Sequence, residues 1–254
     1  MLQMPQPSNV DKVDECPSVE LMDSAQDWMY VLRWLYNADE FHNMPHPAPF
    51  NIVAGALRIS HKYEFGVLRR WAIEDLCSRW PLDLATMNNN SFPFAAEAIV
   101  LARECDVPQI LPSAFYALSI QKWACDGDGG RSHLVLTPQD MRRLVVGKER
   151  LHDAHLSIVL DPLAIEDDDS IPNSECARCR AALKVYWRDK MATAAFEPSH
   201  MGCWLLRELH RIATTNDDLV VRSICAMCFR RHQDLAWTRF SALRREIPQY
   251  FNLV

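Results

Sequence analysis

The sequence is poor in glycine and has no long apolar run. Its 254 residues include 7 Gly but 15 Pro. Scarce glycine argues against phosphate-binding loops and a turn-rich β architecture, whereas frequent proline favours helices with sharp starts and stops. No stretch approaches the roughly 18 consecutive apolar residues that indicate a membrane span. We therefore expect no membrane partner.

The chain also lacks an excess of positive charge and the common catalytic motifs. Its formal net charge is −6, so most of the protein does not favour binding to phosphate backbones. Nucleic acid is therefore an unlikely partner by composition. The sequence contains no G-x-G-x-x-G, G-K-[ST], H-E-x-x-H or G-x-S-x-G motif. We expect a protein that is not an enzyme.

The first residues, MLQMPQPSNVDKVDE, lack the basic and apolar regions of a secretory signal. An intracellular location, in the cytoplasm and/or the nucleus, is the expectation. Disulfides are rare in such reducing compartments. The 9 Cys are therefore expected to be thiols or metal ligands.

Apolar residues make up 49% of the chain and recur mostly at helical spacing, which predicts a mainly α fold. A short strand is predicted within CPSVEL (16–21), where Val19 and Leu21 alternate with polar residues. Asp23 or Ser24 is the predicted cap of the first helix, which continues to about residue 37. Thr137, followed by Pro138, predicts the start of a later helix. The other predicted helices are a closely joined pair over 54–76, one in AAEAIVLARECD, one that begins at Pro108 and continues through Leu118, and three more near 176–192, 201–213 and 219–245.

Two stretches carry a resemblance to a known family. CPSVELMDSAQDWMYVLRWLYN, followed by FNIVAGALRISHKYEFGVLRRWAIEDL, resembles the second half of a BTB/POZ domain. The Lys62-Tyr63 pair is similar to the KY at the end of the first helix of that fold's helix pair. The later segments LARECDVPQILPSAFYALS and LTPQDMRRLVVGKERL resemble a family of fungal BTB-domain proteins.

The resemblance lacks the strand hairpin and helix that open a BTB domain, so it implies a BTB-like module without its first third. The predicted organisation is a partial BTB/POZ-like domain (1–82), a helical extension (83–160) and a C-terminal helical bundle (161–254). The family resemblance implies a non-catalytic adaptor or transcription-associated scaffold that binds protein partners. It also implies homotypic BTB association, which the missing segment would weaken.

Two Cys-x-x-Cys pairs are the strongest candidate site. Cys176 and Cys179 form the first pair, and Cys225 and Cys228 form the second. Four thiolates suit tetrahedral Zn²⁺, and a pair in the first turn of a helix benefits from the helix dipole. The sequence therefore predicts a zinc site in which the starts of two helices meet.

The spacing leaves alternatives open. The 45 residues between Cys179 and Cys225 exceed the gap of common zinc modules. Four small buried residues in helix interfaces would also explain the pairs, because free cysteine packs as an apolar group. His200 or His232 is a possible substitute ligand if one pair is misassigned.

A second hypothesis rests on the basic C-terminal helix. Six arginines lie between Arg222 and Arg245, with Trp237 and Phe240 among them. Such a pattern is compatible with a nucleic-acid-associated zinc protein, in which aromatic rings stack on bases. An amphipathic helix with core aromatic residues and surface arginines explains the same pattern, and we favour that interpretation.

Overall fold

Helices account for most of the chain, as the sequence predicts. The computed structural model describes residues 12–14, 16–18, 20–37, 39, 41, 43–121, 135–160, 173–196 and 205–253. The α-helices of this part are α1 (Ala25–Tyr36), α2 (Phe50–Lys62), α3 (Gly66–Arg79), α4 (Ala95–Glu104), α5 (Leu111–Ile120), α6 (Pro138–Leu160), α7 (Asn173–Phe196), α8 (Leu205–Thr214), α9 (Asp218–Ser223) and α10 (Ala226–Tyr250). Short 3-10 turns lie at Leu84–Thr86, Asn89–Ser91 and Pro108–Ile110.

Local side chains explain where the predicted helices begin. Ser24 caps α1 by accepting a hydrogen bond from the Asp27 N–H, at 3.3 Å. Thr137 plays the same part for α6, because its hydroxyl oxygen accepts from the Asp140 N–H at 3.1 Å. These bonds satisfy amides that have no partner within the helix. The predicted starts at both places are confirmed.

The strand predicted within 16–21 is shorter than expected and covers only the first two residues of that stretch. The observed ladder is antiparallel and pairs β1 (Lys12–Val13) with β2 (Cys16–Pro17). Val19 lies outside the described residues, and Glu20 and Leu21 have no regular structure. Leu21 is exposed, so no sheet neighbour covers the apolar side that its alternation suggested.

The helix predicted at 219–245 is divided in two. It consists of α9 and α10, with Ile224 and Cys225 between them in extended backbone conformation. Ile224, with φ −136° and ψ 160°, ends α9, and Cys225 is the N-cap of α10. A β-branched residue favours such an extended conformation over the helix. The break places the second cysteine pair at the start of a helix.

One main hydrophobic core joins the three predicted segments. Trp80, Phe115 and Trp187, one from each segment, all lie in this cluster and are fully buried. A smaller cluster, with Val31, Ile59 and Leu68, lies between α1, α2 and α3. The segment boundaries after residues 82 and 160 stay predictions.

The Lys62-Tyr63 pair at the end of α2 binds Asp23, just before the start of α1. The Lys62 Nζ lies 2.6 Å from Asp23 Oδ1, and the Tyr63 hydroxyl donates to Asp23 Oδ2, also at 2.6 Å. These two donors lower the pKa of the Asp23 carboxyl below its ordinary value. The Tyr63 ring packs against Trp28, with a centroid distance of 5.0 Å. The pair therefore has a positioning role between two helices.

The end of α10 closes the core against α6. The Phe251 ring is fully buried and stacks on Phe115 at a centroid distance of 5.3 Å. It lies directly against Gly147, where a side chain would overlap it. Arg150 donates to the carbonyl oxygens of Gln249 and Tyr250, at 2.7 and 3.0 Å. These bonds connect the C-terminal end of α10 to α6, and the Gln249 carbonyl oxygen also accepts from the Asn252 N–H, at 3.0 Å.

We expect Gly147→Ala to lower the free energy of unfolding by about 1–3 kcal/mol, because the new methyl group would displace the buried Phe251 ring. Gly66→Ala is the matched control, since a Cβ there meets no atom within 4 Å. It should leave stability unchanged or raise it slightly. Urea unfolding of both variants measures the difference. Equal stability of the two would contradict the close packing at Gly147.

Candidate metal centre

Three cysteine thiols converge where the first turns of α7 meet the start of α10. The Sγ atoms of Cys179, Cys225 and Cys228 all lie within 4.8 Å of one another. Cys179 is buried, Cys228 is partly buried and Cys225 is exposed. The three thiols therefore form a cluster that opens to solvent on one side.

The start of α10 presents positive backbone groups to these sulfurs. The Cys225 N–H donates a hydrogen bond to Cys179 Sγ, at 3.4 Å. Cys225 makes no regular capping bond through its own side chain. The N–H and the thiol of Cys228 nevertheless lower the pKa of the Cys225 thiol, and Cys179 adds a smaller effect in the same direction. Together with the helix dipole, these groups favour the negatively charged sulfur that a metal requires.

The cluster fits the dimensions of a zinc–thiolate site. In a tetrahedral site with Zn–S bonds of about 2.3 Å, the sulfur atoms lie about 3.8 Å apart. The observed limit of 4.8 Å requires each pair to close by at most about 1 Å. Soft sulfur ligands select Zn²⁺ over the hard cations Mg²⁺ and Ca²⁺. Cys179, Cys225 and Cys228 are thus suitable as three of the four ligands.

The fourth predicted ligand is only partly located. Cys176 belongs to the first turn of α7, three positions before Cys179, but its side chain lies outside the described part of the structure. His200, the possible substitute, also lies outside the described residues. The described geometry therefore brings together three of the four predicted cysteines.

A second buried contact joins α7 and α10 beyond the thiols. Trp187 follows Cys179 by eight residues, and its indole Nε1 donates to His232 Nδ1 at 2.9 Å. Both residues are buried. His232 itself lies four residues after Cys228 on α10, so the two helices advance in the same direction. Apolar residues at positions 179, 183 and 187 follow helical spacing, so the sequence could have indicated the buried face of α7. No pattern in the sequence indicates that this face packs against α10.

The contact with Trp187 argues against His232 as a metal ligand. Since Nδ1 accepts a hydrogen bond, the neutral ring carries its proton on Nε2. Neither nitrogen then offers a free lone pair. Burial lowers the pKa of His232 from 6.5 to about 4, which keeps the ring neutral near pH 7. His232 is better explained as a buried acceptor that fixes the position of Trp187.

The arginines of α10 are partly engaged within the protein. Arg244 Nη1 lies 3.2 Å from Asp83 Oδ1, and the Arg239 guanidinium lies 5.4 Å from the centre of the Trp187 ring. Phe240 is buried in the core, whereas Trp237 is half-exposed. Of the two aromatic residues proposed to stack on bases, only Trp237 is accessible. The arrangement is that of an amphipathic helix.

Comparison with known proteins identifies no relative. No family model matches the chain, and no curated protein or solved structure is significantly similar to it. The BTB/POZ resemblance therefore stays an expectation from the sequence. None of the described helices combines the length and the apolar character that crossing a bilayer requires.

The buried His232 predicts a pH dependence of stability. The unfolded chain takes up a proton near pH 6.5, but the folded protein does so only near pH 4. The folded state is therefore fully favoured above pH 6.5 and loses stability as the pH falls towards 4. His232→Gln keeps an acceptor for Trp187 and removes the titrating ring. Between about pH 7.5 and 4.5, the free energy of unfolding of this variant should fall by about 2–3 kcal/mol less than that of the wild type.

Urea unfolding at several pH values measures this difference. Other titrating groups act alike on both proteins, so the difference between the two curves isolates His232. Parallel curves would show that the ring is not held neutral by burial.

Proposed function

We propose that the protein is a non-catalytic interaction scaffold of the BTB/POZ type, whose C-terminal helices are fastened by one zinc ion. An exposed apolar stripe on α1 is the observation that carries the interaction function. The stripe consists of Met29, Leu32, Leu35 and Tyr36. These residues are about half-exposed or more, and Tyr36 is 83% exposed.

The stripe lies on the side of α1 opposite its packed face. Tyr30 and Val31 are buried against the neighbouring helices, and the Tyr30 hydroxyl accepts a hydrogen bond from Asn51 of α2 at 2.8 Å. Positions 29, 32 and 36 follow the spacing of one helical face. Contiguous exposed apolar patches of this kind mark protein-binding surfaces. The bonds from Lys62 and Tyr63 to Asp23 hold α1 in place on α2. The orientation of the stripe is therefore fixed relative to α2.

The zinc part of the proposal rests on the thiol cluster. Cys179, Cys225 and Cys228 supply three ligands, and Cys176 is the proposed fourth, because it precedes Cys179 by one helical turn. Such a site would join α7 to α10 directly. Thiolate ligands must be deprotonated and gathered around the metal, so metal binding contributes to folding. Zinc would accordingly have a structural role in this scaffold.

Replacing an apolar residue of the stripe by a charged one should abolish partner binding without unfolding the protein. We expect Leu32→Asp to lose the proteins that the wild type captures from a lysate, because a partner would have to bury an unpaired carboxylate. Val67→Asp is the matched control, since Val67 is also an exposed apolar residue but lies at the start of α3. Pull-down with quantitative mass spectrometry measures the partner sets, and light scattering detects self-association. Identical partner sets and oligomeric states for wild type and Leu32→Asp would contradict the role of the stripe.

Protein purified without chelator or affinity metal should contain about one zinc per chain by elemental analysis, the stoichiometry of a single tetrahedral site. Cys179→Ser should lose most of this zinc and much stability, whereas Cys77→Ser and Cys105→Ser should keep it. Chelation should increase hydrogen exchange in α7 to α10 and leave α1 to α5 protected. A zinc content far below one per chain would contradict the metal site, and the clustered cysteines would then be explained by packing alone.

A further inference from the structure

The three clustered thiols differ in their access to solvent. Cys225 is exposed, Cys228 lies in the first turn of α10 and is partly buried, and Cys179 is buried. All three sulfur atoms lie within 4.8 Å of one another. Among the described residues, Cys16, Cys77 and Cys105 belong to no such group. An oxidant in solution would thus meet one exposed sulfur that has a second thiol within reach.

The backbone leaves Cys225 free to approach Cys228. Cys225 is the N-cap of α10 and has extended dihedral angles, φ −74° and ψ 159°. Its side chain is therefore outside the regular helix, whereas Cys228 is fixed within the first turn. A change of χ1 rotamer moves a cysteine sulfur by roughly 3 Å. The two sulfurs are at most 4.8 Å apart, so closure to the disulfide bond length of about 2.05 Å is within the range of such a movement.

We propose that Cys225 and Cys228 form an oxidisable thiol pair that reacts with hydroperoxides, and that their disulfide and the zinc site exclude each other. The first part depends only on the proximity and access of the two thiols. The second part rests on the proposed zinc-binding function. The disulfide would remove two of the four ligands, because a disulfide sulfur is no longer a thiolate.

The chemistry proceeds in two balanced steps. The Cys225 sulfur attacks the hydroperoxide, takes one oxygen atom and becomes a sulfenic acid, and the O–O bond breaks to leave an alcohol, or water when the oxidant is hydrogen peroxide. The Cys228 sulfur then attacks the Cys225 sulfur. The S–S bond forms, the S–OH bond breaks, and the hydroxyl group leaves as water with the thiol proton. Two thiols are oxidised and one hydroperoxide is reduced.

The experiment uses the full-length chain in two forms, one stripped of metal by chelation and one reloaded with equimolar zinc. Each form is treated with equimolar hydrogen peroxide, alkylated and digested with trypsin. The peptide 223–230 contains both cysteines. In the metal-free form it should lose two hydrogen atoms in mass and resist alkylation. In the zinc form both of its cysteines should stay as thiols until zinc is removed.

Peptide 71–79 of the same digest is the internal control. It contains Cys77 alone, which is partly buried and belongs to no described thiol group, so it should be alkylated in both forms. Oxidation of Met227 adds an oxygen atom and is distinguished by mass. Cys228→Ser should prevent the loss of two hydrogens from peptide 223–230.

The outcomes separate the two proposals. Alkylated cysteines in peptide 223–230 of both forms would overturn the oxidisable pair. A disulfide formed equally fast with zinc bound would overturn the mutual exclusion. If no zinc binds at all, the zinc site fails and the mutual exclusion fails with it, while the metal-free form still decides whether the thiol pair is oxidised.

Discussion

The buried hydrogen bond from Trp187 to His232 fixes the register between α7 and α10, and the candidate metal centre depends on that register. An indole N–H that is buried without an acceptor would lose its hydrogen bond to water without replacement. The 2.9 Å contact therefore favours one alignment of the two helices. A slip of one residue on either helix would part the indole from its acceptor and would also move Cys179 away from the N–H of Cys225.

Two separate sets of contacts hold α1 and α10 in place, the helices that carry the apolar stripe and two of the clustered thiols. At the N-terminal side, Lys62 and Tyr63 both bind Asp23 and so connect α1 with α2. At the C-terminal side, Arg150 and the Phe251 ring connect the end of α10 with α6 and the main core. Neither set of contacts involves the cysteine thiols. A change at the thiol cluster should therefore act first on α7 to α10 and leave the contact between α1 and α2 intact.

The cysteine pairs illustrate how a long gap in sequence becomes a short distance in space. The 45 intervening residues include α8 and α9, and α8 packs along α10. This return path brings the start of α10 beside Cys179. The described residues of the gap that weakened the zinc hypothesis are therefore largely helical: they comprise the rest of α7, α8 and α9. The cysteines of the second pair are also oriented by a break at Ile224 and Cys225 that spacing alone did not predict.

The sequence by itself determined the mainly helical fold and the helix starts at Ser24 and Thr137, because caps and apolar periodicity act over three or four residues. It also indicated which cysteines belong together in pairs. Only the tertiary structure decided that Lys62 and Tyr63 bind Asp23, that His232 accepts from Trp187, and that three thiols meet. Each of these contacts joins residues about 40 or more positions apart, and their partners are selected by the packing of whole helices, which no local pattern records.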